Sequence, residues 1–127
     1  MVCLDTSFFV DLLRVNPDAV NKLLEFRGDI IYTTTITLAE LYRGAYGSSE
    51  TGQELSKIDK LLRGISILTL DNESAKKYGE FYNQLRSNRI GDADLFIASI
   101  VITNNEILLT KNLRHFERIP LLKISSW

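Results

Sequence analysis

The sequence predicts an α/β fold, a three-layer α/β/α sandwich with a mainly parallel central sheet. Short apolar runs rich in β-forming residues alternate along the chain with longer segments whose apolar residues fall at helical spacing. Strands that alternate with helices form β-α-β units, and their right-handed crossovers place helices on both faces of a parallel sheet. Because the 127 residues contain no repeat, linker or low-complexity segment, we expect a single domain, 1–127, with a sizeable core.

The strands are predicted from short apolar runs bounded by turn residues. They cover residues 2–4, 30–33, 65–70 and 107–110, and a last apolar run lies at 121–124. The helices are predicted from apolar residues three and four positions apart. They cover residues 8–14, 17–26, 35–46, 54–62, 72–85 and 92–102.

Boundary residues support several of these helices. Pro17 suits the first position of the second helix, and Gly28 and Gly64 follow helix ends. Asp71 or the residue after it is expected to cap the fifth helix, with Ala75 on the inward-facing side of that helix.

Composition and charge exclude several classes of protein. The net charge is −1, with 15 basic and 16 acidic residues, so a protein that simply coats nucleic acid is excluded. No apolar run is long enough to span a bilayer, and no charged region precedes an apolar one at the N-terminus, so neither a membrane partner nor a signal peptide is expected. The one cysteine, Cys3, cannot form an internal disulfide, which fits a reducing cytoplasm.

The most informative stretch is the start of the sixth helix. Gly91 opens it, Asp92 and Asp94 occupy its first turn, and an almost wholly apolar segment follows. A helix this apolar is expected to be buried, so its two carboxylates should be fixed at the rim of the core.

Further acids are expected at the same edge of the sheet. Asp5 follows the first strand, and Glu40 interrupts the apolar sequence of the third helix, on a face away from Leu38 and Leu41. The polar residues 110–112 follow the fourth strand. In open parallel sheets, sites lie outside the carboxyl ends of the strands. Carboxylates gathered in one cleft repel each other, so they protonate or bind a cation, and oxygen ligands of this kind suit Mg²⁺ or Mn²⁺.

Five motifs then carry a resemblance to a known family. They are Leu4-Asp5-Thr6-Ser7, Thr37-Leu38-Ala39-Glu40-Leu41, Ile90-Gly91-Asp92-Ala93-Asp94-Leu95-Phe96-Ile97-Ala98, Leu109-Thr110-Lys111-Asn112 and His115-Phe116-Glu117-Arg118-Ile119-Pro120. In this order they resemble the PIN-domain family and are most similar to the VapC-type toxins of toxin–antitoxin pairs. The resemblance covers essentially the whole chain. It implies an endoribonuclease that depends on Mg²⁺ or Mn²⁺ and hydrolyses RNA with a metal-activated water. It also implies a homodimer and a small VapB-like antitoxin partner.

The resemblance assigns roles to particular residues. Asp5, Glu40 and Asp94 match the acidic triad of the family, and Asp92 falls where some members carry a further acid. We expect Asp5 and Asp94 to be the principal metal ligands, with Glu40 binding directly or through water, and Asp92 supplementing the site or orienting a water.

Polar neighbours of the acids complete the predicted site. Thr6, Ser7 and Asn112 are expected to hold ligands or phosphate by hydrogen bonds. Many members of the family carry an acid where this chain has Asn112, and an amide oxygen is a weaker ligand than a carboxylate, so a second metal ion is not assigned.

Each acid also has a purely structural interpretation. Asp5 and Asp92 could cap the helices that follow them. Glu40 could pair with Arg43 one turn on, which at an exposed site contributes only about 0.2–0.5 kcal/mol. The one histidine, His115, is expected to pack or hydrogen-bond and not to act as a general base.

Two other function classes stay open from the sequence. A different magnesium-dependent phosphoryl-transfer enzyme is one; a haloacid-dehalogenase-like phosphatase would place a second aspartate at Ser7, and a receiver domain would need an acidic pair on the first strand. A catalytically silent module that binds RNA or protein is the other.

Basic residues near the acidic motifs could form a rim that guides RNA towards the metal. They are Arg86, Arg89, Lys111 and Arg114.

Overall fold

The computed structural model describes residues 1–86 and 90–127, and within them the chain forms five strands and seven helices. The strands are β1 (Val2–Leu4), β2 (Ile31–Thr34), β3 (Ser66–Leu68), β4 (Ile107–Leu109) and β5 (Lys123–Ser125). The helices are α1 (Thr6–Leu13), α2 (Pro17–Leu24), α3 (Thr35–Tyr46), α4 (Thr51–Leu62), α5 (Asn72–Gln84), α6 (Asp92–Thr103) and α7 (Leu113–Phe116).

The described strands form one parallel sheet in the order β3-β2-β1-β4-β5. The first strand lies in the middle, where Cys3 aligns with Tyr32 of β2 on one side and with Leu108 of β4 on the other. From β1 the strand order therefore runs outwards in both directions. Such a switch point opens a crevice at the carboxyl ends of the strands, and ligands bind there in open α/β sheets.

Apolar side chains of the central strands are buried on both faces of the sheet. Val2, Leu4 and Leu109 belong to a core cluster with α1 to α4, whereas Cys3 and Leu108 belong to a second cluster with α5 to α7. Successive residues of a strand point to opposite faces, so each central strand contributes to both clusters. This arrangement confirms the predicted three-layer sandwich.

Local signals in the sequence explain the helix boundaries. Asn16 caps α2 by accepting hydrogen bonds from the backbone amides of the next turn, and Pro17 occupies the first helical position. Thr34 caps α3 through a hydrogen bond from the Thr37 amide at 3.1 Å. Gly64, which follows α4, has φ +78°, a conformation that a residue with a side chain rarely adopts.

Several details of the predicted secondary structure were wrong, and the short helix Leu113–Phe116 was not predicted at all. The helix expected at 54–62 begins earlier, at Thr51. The strand expected at 65–70 is limited to Ser66–Leu68, because β3 is an edge strand that pairs only with β2. Ala75 is exposed, since the buried face of α5 runs through Ser74 and Phe81, one helical position away. None of the helices in the described part of the chain is long and apolar enough to cross a bilayer.

Candidate active site

Asp5 lies at the switch point, directly after the central strand. Its amide donates to the Leu109 carbonyl at 3.2 Å, which fixes its backbone to the end of β4. Oδ1 of its carboxylate accepts hydrogen bonds from the Ser7 hydroxyl at 2.6 Å and from the Phe8 amide at 3.0 Å. The side chain therefore caps α1, as the structural interpretation expected, while it also stands at the edge where a site should form.

Burial raises the pKa of the Asp5 carboxyl above its usual range, because only 3% of the residue is exposed. Hydrogen bonds from Ser7, Thr110 and Phe8 act against this effect and favour the charged form. The negative charge of Asp94 raises the pKa of Asp5 further. Two acids that lie 89 positions apart in the sequence thus repel each other at one edge of the sheet.

The first turn of α6 holds Asp92 and Asp94, and Gly91 is the N-cap residue. The expectation that Asp92 could cap this helix was therefore wrong. Burial of the apolar body of α6 fixes the position of its N-terminus, where the helix dipole stabilises negative charge. Asp94 Oδ2 lies 3.4 Å from Nδ1 of His115, a contact that agrees with the expected hydrogen-bonding role of this histidine.

Asp92 is directed towards the neighbouring helix. It accepts a hydrogen bond from the Tyr78 hydroxyl at 2.8 Å, and the Tyr78 ring stacks on Phe96 with the ring centroids 4.1 Å apart. This contact joins α5 to the start of α6. The sequence analysis placed Asp92 near the metal but did not identify its tyrosine partner.

Glu40 is half-buried on α3 and accepts a hydrogen bond from the Thr6 hydroxyl at 2.5 Å. Thr6 is the residue after Asp5, so this bond brings the third predicted acid to the same end of the sheet. The alternative pairing of Glu40 with Arg43 does not occur among the ion pairs of residues 1–86 and 90–127.

Residues 110–112, which follow β4, lie next to Ser7 and the Asp5 carboxylate. The Lys111 amide donates to the Ser7 hydroxyl oxygen at 3.1 Å, and the Asn112 amide donates to Thr110 Oγ1 at 3.0 Å. Asn112 itself is exposed at the start of α7, and its side chain makes no capping hydrogen bond. Ser7 thus joins this segment to the Asp5 carboxylate.

Three further residues near the site were not recognised as a group from the sequence. The Lys111 ammonium pairs with Asp11 Oδ2, and the Trp127 indole N–H donates to the same oxygen at 3.0 Å. The signal that could have pointed to Asp11 is its charge within the apolar run of α1. Of the basic residues expected at the rim, Lys111 is thus paired, Arg86 and Arg114 are exposed, and Arg89 lies outside the described residues.

The donor set fits a hard divalent cation. Asp5, Asp94 and Glu40 offer only oxygen donors, and burial together with the negative charge of Asp94 raises the pKa of Asp5. No three His, Cys, Asp or Glu side chains of residues 1–86 and 90–127 form a ready-made metal cluster. Magnesium is commonly held by one or two carboxylates together with waters and substrate phosphates, so two carboxylates such as Asp5 and Asp94 would suffice as protein ligands.

A groove of about 370 Å³ adjoins the site between α1, α3 and α4. Thr6 and Glu40 form the end nearest the acids. Apolar and charged side chains line the remainder, among them Val10, Leu13, Arg14, Leu41, Glu54, Lys57 and Ile58. The groove is therefore lined by apolar side chains and by charges of both signs.

Comparison with known proteins identifies the family. The PIN-domain family model matches residues 2–122. "Ribonuclease VapC2" of Rickettsia felis is 34% identical over 98% of this chain and 96% of the relative, and "Ribonuclease VapC1" of Haemophilus influenzae is 32% identical over the same shares.

Solved structures agree with this assignment. The VapBC2 structure from Rickettsia felis, bound to a DNA fragment from the promoter, matches with a TM-score of 0.94 and 32% identity over 100% of this chain and 99% of that chain. The VapBC-1 structure from nontypeable Haemophilus influenzae matches with a TM-score of 0.89 and 30% identity over 100% and 98%. The chain therefore belongs to the PIN-domain family and, within it, to the VapC-type ribonucleases.

Proposed function

We propose that this chain is the toxin of a type II VapBC toxin–antitoxin pair, an endoribonuclease that requires Mg²⁺ or Mn²⁺. The observation that carries the metal requirement is the position of Asp5, a carboxyl only 3% exposed that lies at the switch point within the field of a second acid, Asp94. The ribonuclease names of relatives that align over nearly the whole chain support the reaction and the substrate class.

In this proposal Asp5 and Asp94 hold the ion, and Glu40 contacts it directly or through water. Asp92 supplements the site or orients a water, and Asn112 contacts phosphate. When bound, the ion would lower the pKa of a water molecule and offset negative charge on the scissile phosphate.

The residues around the acids keep them in place. The Ser7 hydroxyl and the Phe8 amide both bond to Oδ1 of Asp5 and so fix the plane of its carboxylate. The Thr6 hydroxyl holds Oε1 of Glu40. The buried body of α6 fixes the backbone that carries Asp94.

The proposed protein partner is a small VapB-like antitoxin. The two solved structures described above are named as VapBC structures. The groove beside Thr6 and Glu40 suits an amphipathic protein segment, because apolar side chains such as Leu13 and Ile58 alternate there with charged ones. A segment seated in this groove would cover Glu40 and exclude RNA from the acids. A homodimer and a cytoplasmic location stay predictions.

Cleavage of unstructured RNA by the purified chain, free of antitoxin, tests this function. We expect cuts that require Mg²⁺ or Mn²⁺ and that fall by at least about 100-fold in Asp94→Asn and Asp5→Ala, because loss of a direct ligand should exceed the loss seen for outer-shell partners. Asp59→Asn, which removes an exposed carboxylate on α4, is the matched control and should cleave like the wild type. Equal cleavage by Asp94→Asn, or cleavage that persists with a chelator, would contradict the proposal.

A catalytically silent binding module is the second candidate. The absence of a ready-made three-acid cluster among residues 1–86 and 90–127, together with the exposed Asn112, favours it. In the same assay such a module would retain RNA in a gel-shift experiment and leave it uncut at every metal concentration.

A further inference from the structure

Asp11, Lys111 and Trp127 form a compact group beside the site, which we call the anchor cluster. Asp11 is buried on α1, and its Oδ2 atom receives both the Lys111 ammonium and the Trp127 indole N–H. The Lys111 ammonium also lies 5.4 Å from the centroid of the Trp127 ring, within the range of a cation–π contact. Lys111 and Trp127 thus both contact the same carboxylate oxygen of Asp11.

The anchor cluster is fixed to the core through the indole ring. Trp127 packs edge to face on Phe8, with ring centroids 4.6 Å apart and an interplanar angle of 76°. Phe8 is fully buried and belongs to the first turn of the helix that Asp5 caps. The buried Phe8 ring therefore restricts the position of the Trp127 ring.

The same lysine is bonded to the candidate site through its backbone. Its amide donates to the Ser7 hydroxyl oxygen at 3.1 Å, and that hydroxyl donates to Asp5 Oδ1 at 2.6 Å. The preceding residue, Thr110, also bonds to the Asp5 carboxyl. Lys111 is consequently held at its side chain by Asp11 and at its backbone by the group that orients Asp5.

We propose that Asp11 and Trp127 are positioning residues of the ribonuclease site. They hold the Lys111 side chain and, through it, the backbone of residues 110–112, so that Ser7 and Thr110 keep the Asp5 carboxylate in one orientation. This inference rests on the proposed function. We expect neither residue to touch the substrate, because both act through Lys111.

A different role for Lys111, direct binding of RNA phosphate, makes the opposite prediction. Its charge is already paired with Asp11, and the Trp127 ring restricts its side chain. If Lys111 bound RNA, Asp11→Asn would release it and lower KM. If Lys111 anchors the 110–112 segment, the same change lowers kcat and leaves KM unchanged.

The test compares RNA cleavage and Mn²⁺ affinity in Asp11→Asn, Trp127→Ala and Trp127→Phe, with Asp59→Asn as the matched surface control. For Asp11→Asn and Trp127→Ala we expect kcat and Mn²⁺ affinity to fall about 10–100-fold, as for partners that orient a metal ligand, with KM within about twofold of the wild type. Trp127→Phe keeps the ring on Phe8, so we expect it to retain kcat within about threefold of the wild type.

Fluorescence provides a readout of the anchor itself. Trp127 is the only tryptophan of the chain, so the intrinsic tryptophan emission comes from the anchor cluster. Asp11→Asn and Lys111→Met should shift this emission to longer wavelength while circular dichroism shows a folded protein. If one of these two variants fails to fold, the other still allows the fluorescence measurement.

Two results would overturn the inference. Wild-type kcat and Mn²⁺ affinity in folded Asp11→Asn and Trp127→Ala would show that the anchor cluster does not position the site, and a change in KM alone would make Lys111 an RNA contact. A wild-type chain and Asp59→Asn control that do not cleave RNA would instead overturn the proposed function, and the inference with it.

Discussion

The substitution Asp5→Asn should stabilise the protein in the absence of divalent metal at neutral pH. Asparagine keeps an oxygen that can accept from the Ser7 hydroxyl and the Phe8 amide, so the cap of α1 is retained. It removes a charge whose burial is unfavourable, which is why the pKa of Asp5 is raised. The difference in unfolding free energy should equal about 1.4 kcal/mol for each pKa unit by which the folded and unfolded states differ.

The effect has a defined pH dependence. A carboxyl whose folded-state pKa is raised stabilises the protein fully only below its unfolded pKa, and this contribution is lost as pH rises through the folded value. The advantage of Asp5→Asn should therefore be largest at pH 7 to 8 and should shrink as the solution is acidified and wild-type Asp5 becomes protonated.

Urea denaturation in EDTA, repeated across this pH range, measures the effect. Asp5→Ala is the matched variant, because it removes the same charge together with the cap and should be about 1 kcal/mol less stable than Asp5→Asn. For a chain of 127 residues, each kcal/mol corresponds to roughly 4 °C in melting temperature. An Asp5→Asn protein that is less stable than the wild type at pH 7.5 in EDTA, or a difference that does not change with pH, would refute the argument.

Two further predictions concern the elements that place the acids. Thr34→Ala removes the side-chain cap of α3 and should cost about 1 kcal/mol in thermal or urea unfolding, whereas Thr35→Ala, one position on, should be nearly neutral. Phe8→Ala removes a fully buried ring beneath Trp127 and should cost about 3–5 kcal/mol. Leu24→Ala, at a half-exposed position, should cost about 0.5 kcal/mol, and equal losses at the two sites would contradict the assignment of the core.

The sequence was sufficient to predict the layers and most of the elements. Apolar runs and helical spacing are local properties, and the strands β1, β2 and β4 lie where these patterns placed them to within one residue. The short edge strand β3 was predicted too long, because strand ends depend on the neighbouring strand and not on the run of β-forming residues alone.

The sequence predicted that Asp5 and Asp94 approach each other, but not the hydrogen-bond partners of the candidate acids. Asp5 and Asp94 interact, as their places after a strand and at a helix start suggested. The bonds of Glu40 to Thr6 and of Asp92 to Tyr78 depend on the relative positions of helices, which spacing along the chain does not determine.

The anchor cluster illustrates the same limit more strongly. Asp11 and Trp127 are 116 positions apart, and no motif connects them. Only the parallel sheet brings the loop that carries Lys111 next to α1. The sequence feature that pointed to a partner was Asp11 itself, a charged residue within the apolar helix α1.

The most direct test of the central claim, that Asp5 and Asp94 share a divalent ion, is the melting temperature during a Mn²⁺ titration. At a concentration 100 times its dissociation constant, a ligand that binds only the folded state adds about 2.7 kcal/mol, which for a chain of this length is roughly 10 °C. We expect such a rise in the wild type and in Asp59→Asn, and its loss in Asp94→Asn. An equal rise in Asp94→Asn, or no rise in the wild type at millimolar Mn²⁺, would contradict the claim.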